Sequence, residues 1–420
     1  MIIKQKGTID IYGDETKKRI YVNDLIRIIC EKYNYGYIET PVFEASELFH
    51  RGIGDSTDIV SKETYDFKDR GGRDITLRPE GTAGVCRWFI ENKMYGNLTE
   101  PVKVYYNEKM YRYDRPQLGR YRELTQFGVE FIGADDVLAD IDVIGIAYHT
   151  YCLFGLKNVT IKINTLGDDE ARKNYKEALL EYLIPYKDSL CNDCKKRLEK
   201  NPLRVLDCKI DCDSEILKNA PYTIDYLNDV SLERYNTLKE YLELMDINFV
   251  EDPRLVRGLD YYNHVVFEIV ADVPVMGNLA LGGGGRYNGL IEKLGGPKVP
   301  AVGFAMGYDR TIMAMDYSGV NFDLKTNLDV YIMYVSNCEK ETASFLTQEL
   351  RLNGFITETD YLDKSLKGQF KSADRMNAKY LVILNDGDLN EMLVNVKDNL
   401  TKEEEKVNIN NLVEYLEGHM

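Results

Sequence analysis

Four arginines stand close together in the segment YRYDRPQLGRYRELTQFGVE, residues 111–130: Arg112, Arg115, Arg120 and Arg122. Aromatic-rich runs flank a Pro-Gln-Leu-Gly centre, which predicts a strand, a loop and a returning strand. Guanidinium groups on adjacent strands can bind phosphate oxygens bidentately. Gln126 and Glu130, on the returning strand, add an amide and a charged acceptor. The segment predicts a nucleoside triphosphate beside a small polar substrate, with a solvated charged hairpin as the alternative.

Three further segments have patterns that suit a bound anion. Residues 255–262, LVRGLDYY, place Arg257 in an apolar context, where it needs an anionic partner: a ligand or, in a structural ion pair, Asp260 or another carboxylate. Residues 281–290, LGGGGRYNGL, either let the backbone approach a ligand closely or form a tight turn. Residues 303–310, GFAMGYDR, either direct Arg310 into a pocket or leave it on a helix surface.

The predicted elements divide the chain into two domains. Residues 1–325 contain helices at 16–35 and 135–155 and strands at 37–43, 72–79, 102–113, 121–132, 261–270 and 277–281, then a strand and helix at 299–316. Charged helical patterns at about 168–240 predict an insertion into this domain. After a linker at 317–327, strands and helices alternate in residues 326–420, which predicts a small α/β domain with a largely parallel sheet.

The composition excludes several classes of protein. A chain of 420 residues with 44% hydrophobic content can form two or three globular domains. A formal net charge of −16 argues against non-specific nucleic-acid binding but allows a local basic surface. The apolar run 143–156 is too short to span a bilayer, and the N-terminus lacks an apolar signal region. A cytoplasmic protein with no membrane contact is expected.

Four of the eight cysteines cluster, at Cys191, Cys194, Cys208 and Cys212. Their pattern is C-x₂-C, thirteen residues, then C-x₃-C, which is near zinc-ribbon spacing and would suit a structural Zn²⁺. Reduced cysteines in a small helical insertion are the alternative. A cytosolic compartment disfavours disulfides.

Five ordered motifs resemble those of one family, the histidyl-tRNA synthetases of the class II aminoacyl-tRNA synthetases. Residues 35–44, 111–130 and 303–310 resemble motifs 1, 2 and 3, while LVRGLDYY and GGGRYNGL resemble the two signatures of the histidine enzymes. The resemblance covers nearly the whole chain. It implies an α+β catalytic domain with an antiparallel sheet flanked by helices, a C-terminal anticodon-binding α/β domain, and a homodimer with motif 1 at its interface.

The resemblance also implies an activity, a ligase that activates L-histidine with ATP and Mg²⁺ to histidyl-adenylate and transfers it to the 3′ end of tRNA(His). Arg112 and Arg257 match the catalytic residues that hold the α-phosphate, Arg310 matches the residue at the distal phosphates, and Asp114 stands at the ATP adenine contact. The histidine-binding positions are matched by Glu80, Thr82 and Gln126 for the ammonium group, by Glu130 and Tyr262 for the imidazole, and by Tyr261 and Tyr287 beside them.

The chain departs from the family pattern at a few positions. Asp114 and Asp309 replace glutamates, which keeps the charge and shortens the reach, and Leu118 replaces a common lysine in the motif 2 loop. The family is not generally zinc-dependent, and its members place the insertion over the tRNA acceptor arm.

A basic pattern in the C-terminal domain offers a second contact with RNA. Lys364, Lys367, Lys371 and Arg375 recur at i, i+3, i+7 and i+11, which forms one stripe on a helix. With the family context, contact with the tRNA anticodon stem is favoured over an ordinary solvated face.

A competing hypothesis is a synthetase-like regulatory subunit of ATP phosphoribosyltransferase in histidine biosynthesis. Such paralogues usually lack the anticodon-binding domain and have an eroded adenylate site, whereas this chain keeps Glu80, Arg112, Gln126, Glu130, Arg257 and Arg310. The same set argues against an inactive RNA-binding or signalling derivative.

Overall fold

The computed structural model describes residues 1–54, 57, 59–116, 119–208, 210–275, 277–322 and 328–419, apart from the side chain of Asn278. The chain divides into two compact units, Met1–Phe322 and Asp323–Met420. The predicted domain boundary at 325/326 lies outside the described residues, as does Leu118.

The described part of the first unit contains eleven strands and ten α-helices. The strands are β1 Gly36–Tyr37, β2 Phe43–Ala45, β3 Tyr65–Lys68, β4 Asp74–Leu77, β5 Val102–Tyr111, β6 Glu123–Ile132, β7 Val159–Thr165, β8 Phe249–Glu251, β9 Asn263–Val273, β10 Gly277–Arg286 and β11 Ala301–Gly307. The helices are α1 Asp14–Lys32, α2 Ser46–Ile53, α3 Thr82–Glu91, α4 Val137–Leu153, α5 Asp169–Leu183, α6 Asn192–Lys200, α7 Glu215–Lys218, α8 Asp229–Leu244, α9 Leu290–Lys293 and α10 Tyr308–Tyr317.

The main sheet of this unit has eight strands in the order β1-β5-β6-β11-β10-β9-β7-β8. Its six central strands, from β5 to β7 in the sheet order, pair antiparallel with one another, which confirms the predicted sheet. The edge strands β1 and β8 pair in parallel with β5 and β7. Parallel neighbours need a long connection. The chain between β7 and β8 supplies one, because α5 to α8 lie there.

Two sequence-based predictions about strands were wrong in detail. The single strand predicted over 37–43 is two strands, because the chain leaves β1 before Pro41 and β2 joins β4 in a separate three-stranded sheet. Proline has no N–H to donate to a ladder, which favours a break there. The glycine run 282–285 does not form a turn: it lies inside β10, between β9 and β11.

The helical segment between β7 and β8 has its own apolar core. Its members include Tyr175, Leu179, Cys194, Leu198 and Leu206, which come from α5, α6 and the turns that follow. Side-chain caps begin each helix, with Asp168, Cys191, Ser214 and Asn228 accepting the backbone N–H of a residue in the first turn. These polar caps explain why so charged a stretch forms several short helices.

The second unit is a five-stranded sheet with helices. Its elements are β12 Val330–Tyr334, α11 Lys340–Leu352, β13 Thr357–Thr359, α12 Leu366–Arg375, β14 Tyr380–Leu384, α13 Asp386–Asn390, β15 Leu393–Asp398, β16 Glu404–Asn408 and α14 Leu412–His419. The sheet order is β13-β12-β14-β15-β16. The first three strands are parallel, as predicted, and the last two are antiparallel. The connections before β15 and β16 are too short for a crossover.

No helix in the described part of the chain is long and apolar enough to span a membrane.

Arg286, at the end of β10, is fully buried and joins this strand to α4 and the residues before it. Its Nε donates to Asp140 Oδ1 at 2.8 Å, and its other nitrogens donate to Ala134 O at 3.0 Å and Asp136 O at 3.2 Å. Arg234 of α8 donates to the second Asp140 oxygen at 2.6 Å. One buried carboxylate on α4 therefore joins the central sheet to the last helix of the insertion.

Replacing Arg286 should destabilise the first unit strongly, because Asp140 and several carbonyls would keep their burial and lose a donor. We expect Arg286→Ala to lower the free energy of unfolding by about 3 kcal/mol or more. Arg51→Ala is the matched control, since its pair with Glu47 is exposed, and it should cost under about 1 kcal/mol. Urea denaturation followed by circular dichroism would measure both. Equal midpoints for the two variants would contradict a structural role for Arg286.

Candidate functional site

A cavity of about 250 Å³ lies against the middle of the main sheet of the first unit. Four arginines and two carboxylates line it, together with an amide: Arg112, Arg120, Arg257, Arg310, Asp114, Glu268 and Gln126. The remaining lining comes largely from small residues of β10 and β11, including Gly282 and Ala305. The excess of guanidinium groups suits an anionic ligand that carries several oxygens.

The arginine of the LVRGLDYY segment, Arg257, is held at this cavity by a carboxylate and a glycine. Its Nη1 lies 3.1 Å from Glu268 Oε1 of β9. A Cβ at Gly283 would lie 2.6 Å from the same nitrogen, so any side chain there would displace the guanidinium. The glycine run therefore makes room for Arg257, and the carboxylate that pairs with this arginine is Glu268.

Two buried polar atoms at the cavity have no hydrogen-bond partner among the described residues. They are Arg257 Nε and Gln126 Oε1. A buried donor or acceptor left without a partner costs about 1–3 kcal/mol. Because both atoms belong to residues that line the same cavity, a polar ligand bound there could satisfy both.

The other two predicted phosphate-binding arginines enter the cavity from different elements. Arg112 follows β5 and donates from Nε to Pro79 O at 2.7 Å. Arg310, in the first turn of α10, donates from Nη1 to Ala280 O at 3.2 Å. Burial lowers the pKa of both guanidinium groups, although nearby carboxylates oppose the shift. Both cations are thus partly desolvated, a condition that an anion would relieve.

Glu130 of β6 is fully buried and lies at the centre of a second cluster of polar side chains. Its Oε1 accepts from Thr82 Oγ1 at 2.7 Å, and its Oε2 accepts from Tyr287 OH at 2.5 Å. Tyr106 OH lies 3.4 Å from Oε1. Burial raises the pKa of the carboxyl to about 8, against the lowering effect of these hydrogen bonds.

Glu80 is held where α3 begins. Its carboxylate accepts from the backbone N–H groups of Thr82 and Ala83, both at 2.9 Å. These amides are at the positive end of the helix, where a carboxylate is favoured. Burial nevertheless raises the pKa of Glu80, while the two amides and Arg112 lower it.

The tyrosines predicted to bind histidine lie together. The rings of Tyr261 and Tyr262 have centroids 4.7 Å apart, and those of Tyr261 and Tyr287 are 5.6 Å apart. All three are at least 93% buried, with exposures of 7%, 7% and 1%. Since Tyr287 also donates to Glu130, they form an aromatic wall with a polar edge.

Asp114 and Asp309, the two aspartates that replace glutamates of the family pattern, lie in different surroundings. Asp114 lines the cavity and pairs with Arg120 Nε at 2.6 Å. Asp309 instead pairs with Arg19 of α1 at 2.5 Å and accepts the Thr125 N–H at 3.0 Å. Asp309 therefore ties α10 to α1 and β6, and it is not among the residues that line the cavity.

Sequence reasoning missed Glu268, and it named Arg120 without assigning it to the site. Both line the cavity. A signal for Glu268 was present, because it is a lone carboxylate in the apolar run VVFEIVA of β9, where a charge needs a partner. Tyr106 was also missed, since nothing in the sequence shows that its ring packs on two glycines: a Cβ at Gly81 or at Gly128 would lie 2.4 Å from it.

The cysteine prediction requires a correction. Cys191, Cys194 and Cys208 come together, but the fourth member of the cluster is Asp211. Cys212 is exposed. The reason is local: the N–H of Cys212 donates to Cys208 O at 3.0 Å, and in this turn the carboxylate one residue earlier is directed toward the sulfur atoms.

The predicted basic stripe is also shorter than expected. α12 begins at Leu366, so Lys364 precedes the helix. The Lys364 backbone N–H donates to Asp360 Oδ2 at 2.8 Å, and its Nζ donates to Ser372 Oγ at 2.9 Å. Lys367, Lys371 and Arg375 are exposed at i, i+4 and i+8 of α12, which places them on one face.

The described fold and cavity define a class II aminoacyl-tRNA synthetase: an antiparallel-centred sheet carrying arginines, followed by a separate α/β unit. The chain belongs to the histidyl-tRNA synthetase family, whose sequence profile matches residues 7–311. An anticodon-binding domain profile matches residues 329–419.

Relatives and solved structures are similar over the full length. The histidine–tRNA ligases of Geobacillus sp. (strain WCH70) and Staphylococcus haemolyticus are each 47% identical, over 99% of this chain and 98% and 99% of theirs. The apo histidyl-tRNA synthetase of S. aureus is 40% identical with a TM-score of 0.85, covering 99% of this chain and all of that one. A Bacillus halodurans structure described as an ATP phosphoribosyltransferase regulatory subunit/histidyl-tRNA synthetase shares the fold, at 21% identity and a TM-score of 0.63, over 91% of this chain and 98% of that one.

The raised pKa of Glu130 predicts a pH-dependent loss of stability. Between the ordinary carboxyl value of 4.5 and about 8, the folded chain keeps a proton that the unfolded chain has released. Rising pH therefore favours unfolding in this window, by up to about 1.4 kcal/mol per pH unit. We expect Glu130→Gln to flatten this dependence in urea denaturation at pH 5 to 8. Glu123→Gln, on the same strand and 40% exposed, should keep the wild-type slope. A Glu130→Gln slope equal to that of the wild type would show that the carboxyl is ionised throughout.

Proposed function

We propose that this protein is a histidine–tRNA ligase that converts L-histidine and ATP to histidyl-adenylate and transfers the histidyl group to the 3′ end of tRNA(His). The observation that carries the proposal is the adjacency of two sites within one sheet. Gln126 lines the arginine cavity, and Glu130, four residues along β6, accepts from Tyr287 and Thr82 in a buried cluster of side chains. A triphosphate and a small polar amino acid would meet between them.

The arginine cavity supports ATP binding. We assign Arg112 and Arg257 to the α-phosphate, where a histidine carboxylate oxygen would attack, and Arg310 to the distal phosphates. Arg257 Nε has no described hydrogen-bond partner, so a phosphate oxygen would supply one. Phosphoryl chemistry depends on positioning and charge neutralisation more than on covalent help. Asp114 lines the same cavity and is assigned to the adenine.

Mg²⁺ fits this cavity. Mg²⁺ is usually held by one or two carboxylates together with substrate phosphates, and Glu268 and Asp114 are the two carboxylates in the lining. Glu268 would be the main protein ligand, with its present Arg257 contact of 3.1 Å exchanged in part for the ion. When bound, such an ion would supply positive charge to the phosphate oxygens.

The buried cluster around Glu130 supports histidine recognition. Glu80, Thr82 and Gln126 are assigned to the ammonium group, and Glu130 and Tyr262 to the imidazole nitrogens, with Tyr261 and Tyr287 as walls. An apolar amino acid would place no hydrogen-bonding group against the buried Glu130 carboxyl, which keeps only its bonds to Thr82 and the tyrosines. Sites that require a polar substrate group reject analogues lacking it by large factors. No editing site is needed for this selectivity.

The remaining assignments concern tRNA, assembly and location. The second unit, with the domain boundary near 325/326, would bind the anticodon stem through the exposed face of α12, and the insertion at about 168–240 would lie over the acceptor arm. Motif 1, residues 35–44, would form the homodimer interface. The protein would act in the cytoplasm.

The regulatory-subunit hypothesis is disfavoured by the same contacts. A subunit that only regulates another enzyme has no need for Arg112, Arg257 and Arg310 in one cavity beside a buried Glu130. ATP–pyrophosphate exchange with each amino acid in turn, with Mg²⁺ and without tRNA, separates the two. Exchange with histidine alone supports the ligase, and absence of exchange from folded protein supports the regulatory subunit.

Arg257→Ala tests the phosphate assignment. We expect pyrophosphate exchange to fall about 10²–10³-fold, the cost of removing one positioned electrostatic donor, while histidine binding measured by calorimetry is largely kept. Arg73→Ala is the control, since Arg73 is 79% exposed and pairs with Asp69. Wild-type exchange by Arg257→Ala would remove this residue from the mechanism.

Charge reversal on α12 tests the RNA assignment. Lys367→Glu combined with Lys371→Glu should weaken aminoacylation of tRNA(His) at limiting tRNA by about tenfold or more, because two favourable contacts with phosphate become repulsive. Pyrophosphate exchange should be unchanged. Lys402→Glu, an exposed site on another segment of the same unit, is the control. Equal tRNA charging by the double variant and the control would place the anticodon stem elsewhere.

A further inference from the structure

Three thiols and one carboxylate converge in the helical insertion of the first unit. The Sγ atoms of Cys191, Cys194 and Cys208 and a carboxylate oxygen of Asp211 all lie within 4.8 Å of one another. Cys194 and Cys208 are buried, and Asp211 is 9% exposed. Cys191 is partly exposed, so four metal-ligating atoms share one small volume at the edge of the buried core.

Two of the distances between these atoms are those expected for ligands of one tetrahedral ion. Cys191 Sγ and Cys208 Sγ are 3.7 Å apart, and Cys208 Sγ is 3.7 Å from Asp211 Oδ2. Two thiolates about 2.3 Å from a tetrahedral Zn²⁺ would stand about 3.8 Å from each other. A disulfide would need about 2.05 Å between sulfur atoms, and it would leave the third cysteine and the carboxylate unused.

Backbone amides are directed at two of the three sulfur atoms. Cys208 Sγ accepts from the N–H groups of Ile210 and Asp211, both at 3.4 Å. Cys191 Sγ caps α6 and accepts from the Cys194 N–H at 3.5 Å. Outer hydrogen bonds of this kind orient metal ligands. Buried cysteines that serve only as small apolar residues would not need them.

The carboxylate is fixed from the other side. Asp211 Oδ2 accepts the Cys191 N–H at 3.0 Å, so the carboxylate joins the start of α6 to the turn after Cys208. An acidic side chain placed among three thiols has no apolar packing role. It is explained if a cation occupies the space between them.

We propose that Cys191, Cys194, Cys208 and Asp211 bind one structural Zn²⁺ ion. The ligand set is soft thiolate with one oxygen, which favours Zn²⁺ over Mg²⁺ or Ca²⁺. Four protein ligands leave no open position, so the ion has a structural role and takes no part in chemistry. Cys212 is not a ligand.

Metal binding at this site would constrain the LVRGLDYY segment. The chain between its two halves contains Asn201 and Arg204, which contact the LVRGLDYY segment: Asn201 Nδ2 donates to Asp260 Oδ1 at 2.8 Å, and Arg204 Nη1 donates to Arg257 O at 3.2 Å. A metal that joins Cys191 and Cys194 to Cys208 and Asp211 closes this loop. It would therefore hold the backbone of Arg257 in place.

Metal analysis of the full-length protein tests the proposal. Inductively coupled plasma mass spectrometry should find about one zinc per chain in the purified protein and in Cys212→Ser. Cys208→Ser and Asp211→Asn should retain zinc at least roughly tenfold more weakly in a chelator competition. Cys338→Ser, an exposed cysteine in the second unit, is the control for general thiol loss.

A spectroscopic measurement keeps the test valid if a variant folds poorly. The wild-type protein, stripped of metal by a chelator and refilled with Co²⁺, should show the ligand-field bands of tetrahedral cobalt with thiolate charge transfer, and Cys212→Ser should give the same spectrum. Protein that holds no zinc, or that gives an octahedral cobalt spectrum, would overturn the proposal. Loss of zinc in Cys212→Ser with retention in Asp211→Asn would overturn the assignment of Asp211 as a ligand.

Discussion

The register of β6 between β5 and β11 is the constraint on which the site depends. Pairing with β11 sets Gln126 opposite Gly307 and Glu130 opposite Gly303. A Cβ at Gly303 would lie 1.9 Å from the Glu130 carboxylate, so the glycine is what lets the buried acid fit. A shift by one residue would turn both polar side chains to the other face of the sheet. Gln126 would then leave the arginine cavity, and Glu130 would lose its bond to Tyr287.

Buried charge is a recurring feature of this fold, and most of it is paired. Asp140 accepts from Arg286 and Arg234, Arg78 pairs with Glu108 at 2.8 Å, and Arg19 pairs with Asp309. The Asp140 pairs join β10 to α4 and α8, the Arg78 pair joins β5 to the segment after β4, and the Arg19 pair joins α1 to α10. Breaking such a pair is costly because one charge keeps its burial without compensation. Arg112, Arg257 and Arg310 differ, since they reach a cavity where a ligand can complete their environment.

The net charge of −16 is compatible with anionic substrates because the positive groups are local. Four arginines meet at one cavity, while three exposed cations lie on one face of α12. Screening limits the reach of the remaining acidic surface to about 8–10 Å at physiological salt. The effective field at each site is therefore set by its neighbours and not by the total charge.

The sequence by itself determined the class of fold and the family, and it named most residues of the candidate site. Hydrophobic period and turn residues located β5, β6, α4, β11 and α10 to within a few residues, because those signals are local. The five motifs named Arg112, Arg257, Arg310, Glu130 and the tyrosines, since each motif is a contiguous run. The sequence could not predict contacts between residues that are far apart in the chain.

Only the tertiary structure showed that Glu268 lies beside Arg257 and that the glycine run lies inside β10. It also showed that Asp309 forms an ion pair with Arg19. It also replaced Cys212 by Asp211 in the cysteine cluster and removed Lys364 from the α12 stripe. In each case the deciding contact joins residues whose relation is set by strand register, by a turn's direction or by where a helix begins. Those quantities follow from packing of the whole chain, and no local pattern encodes them.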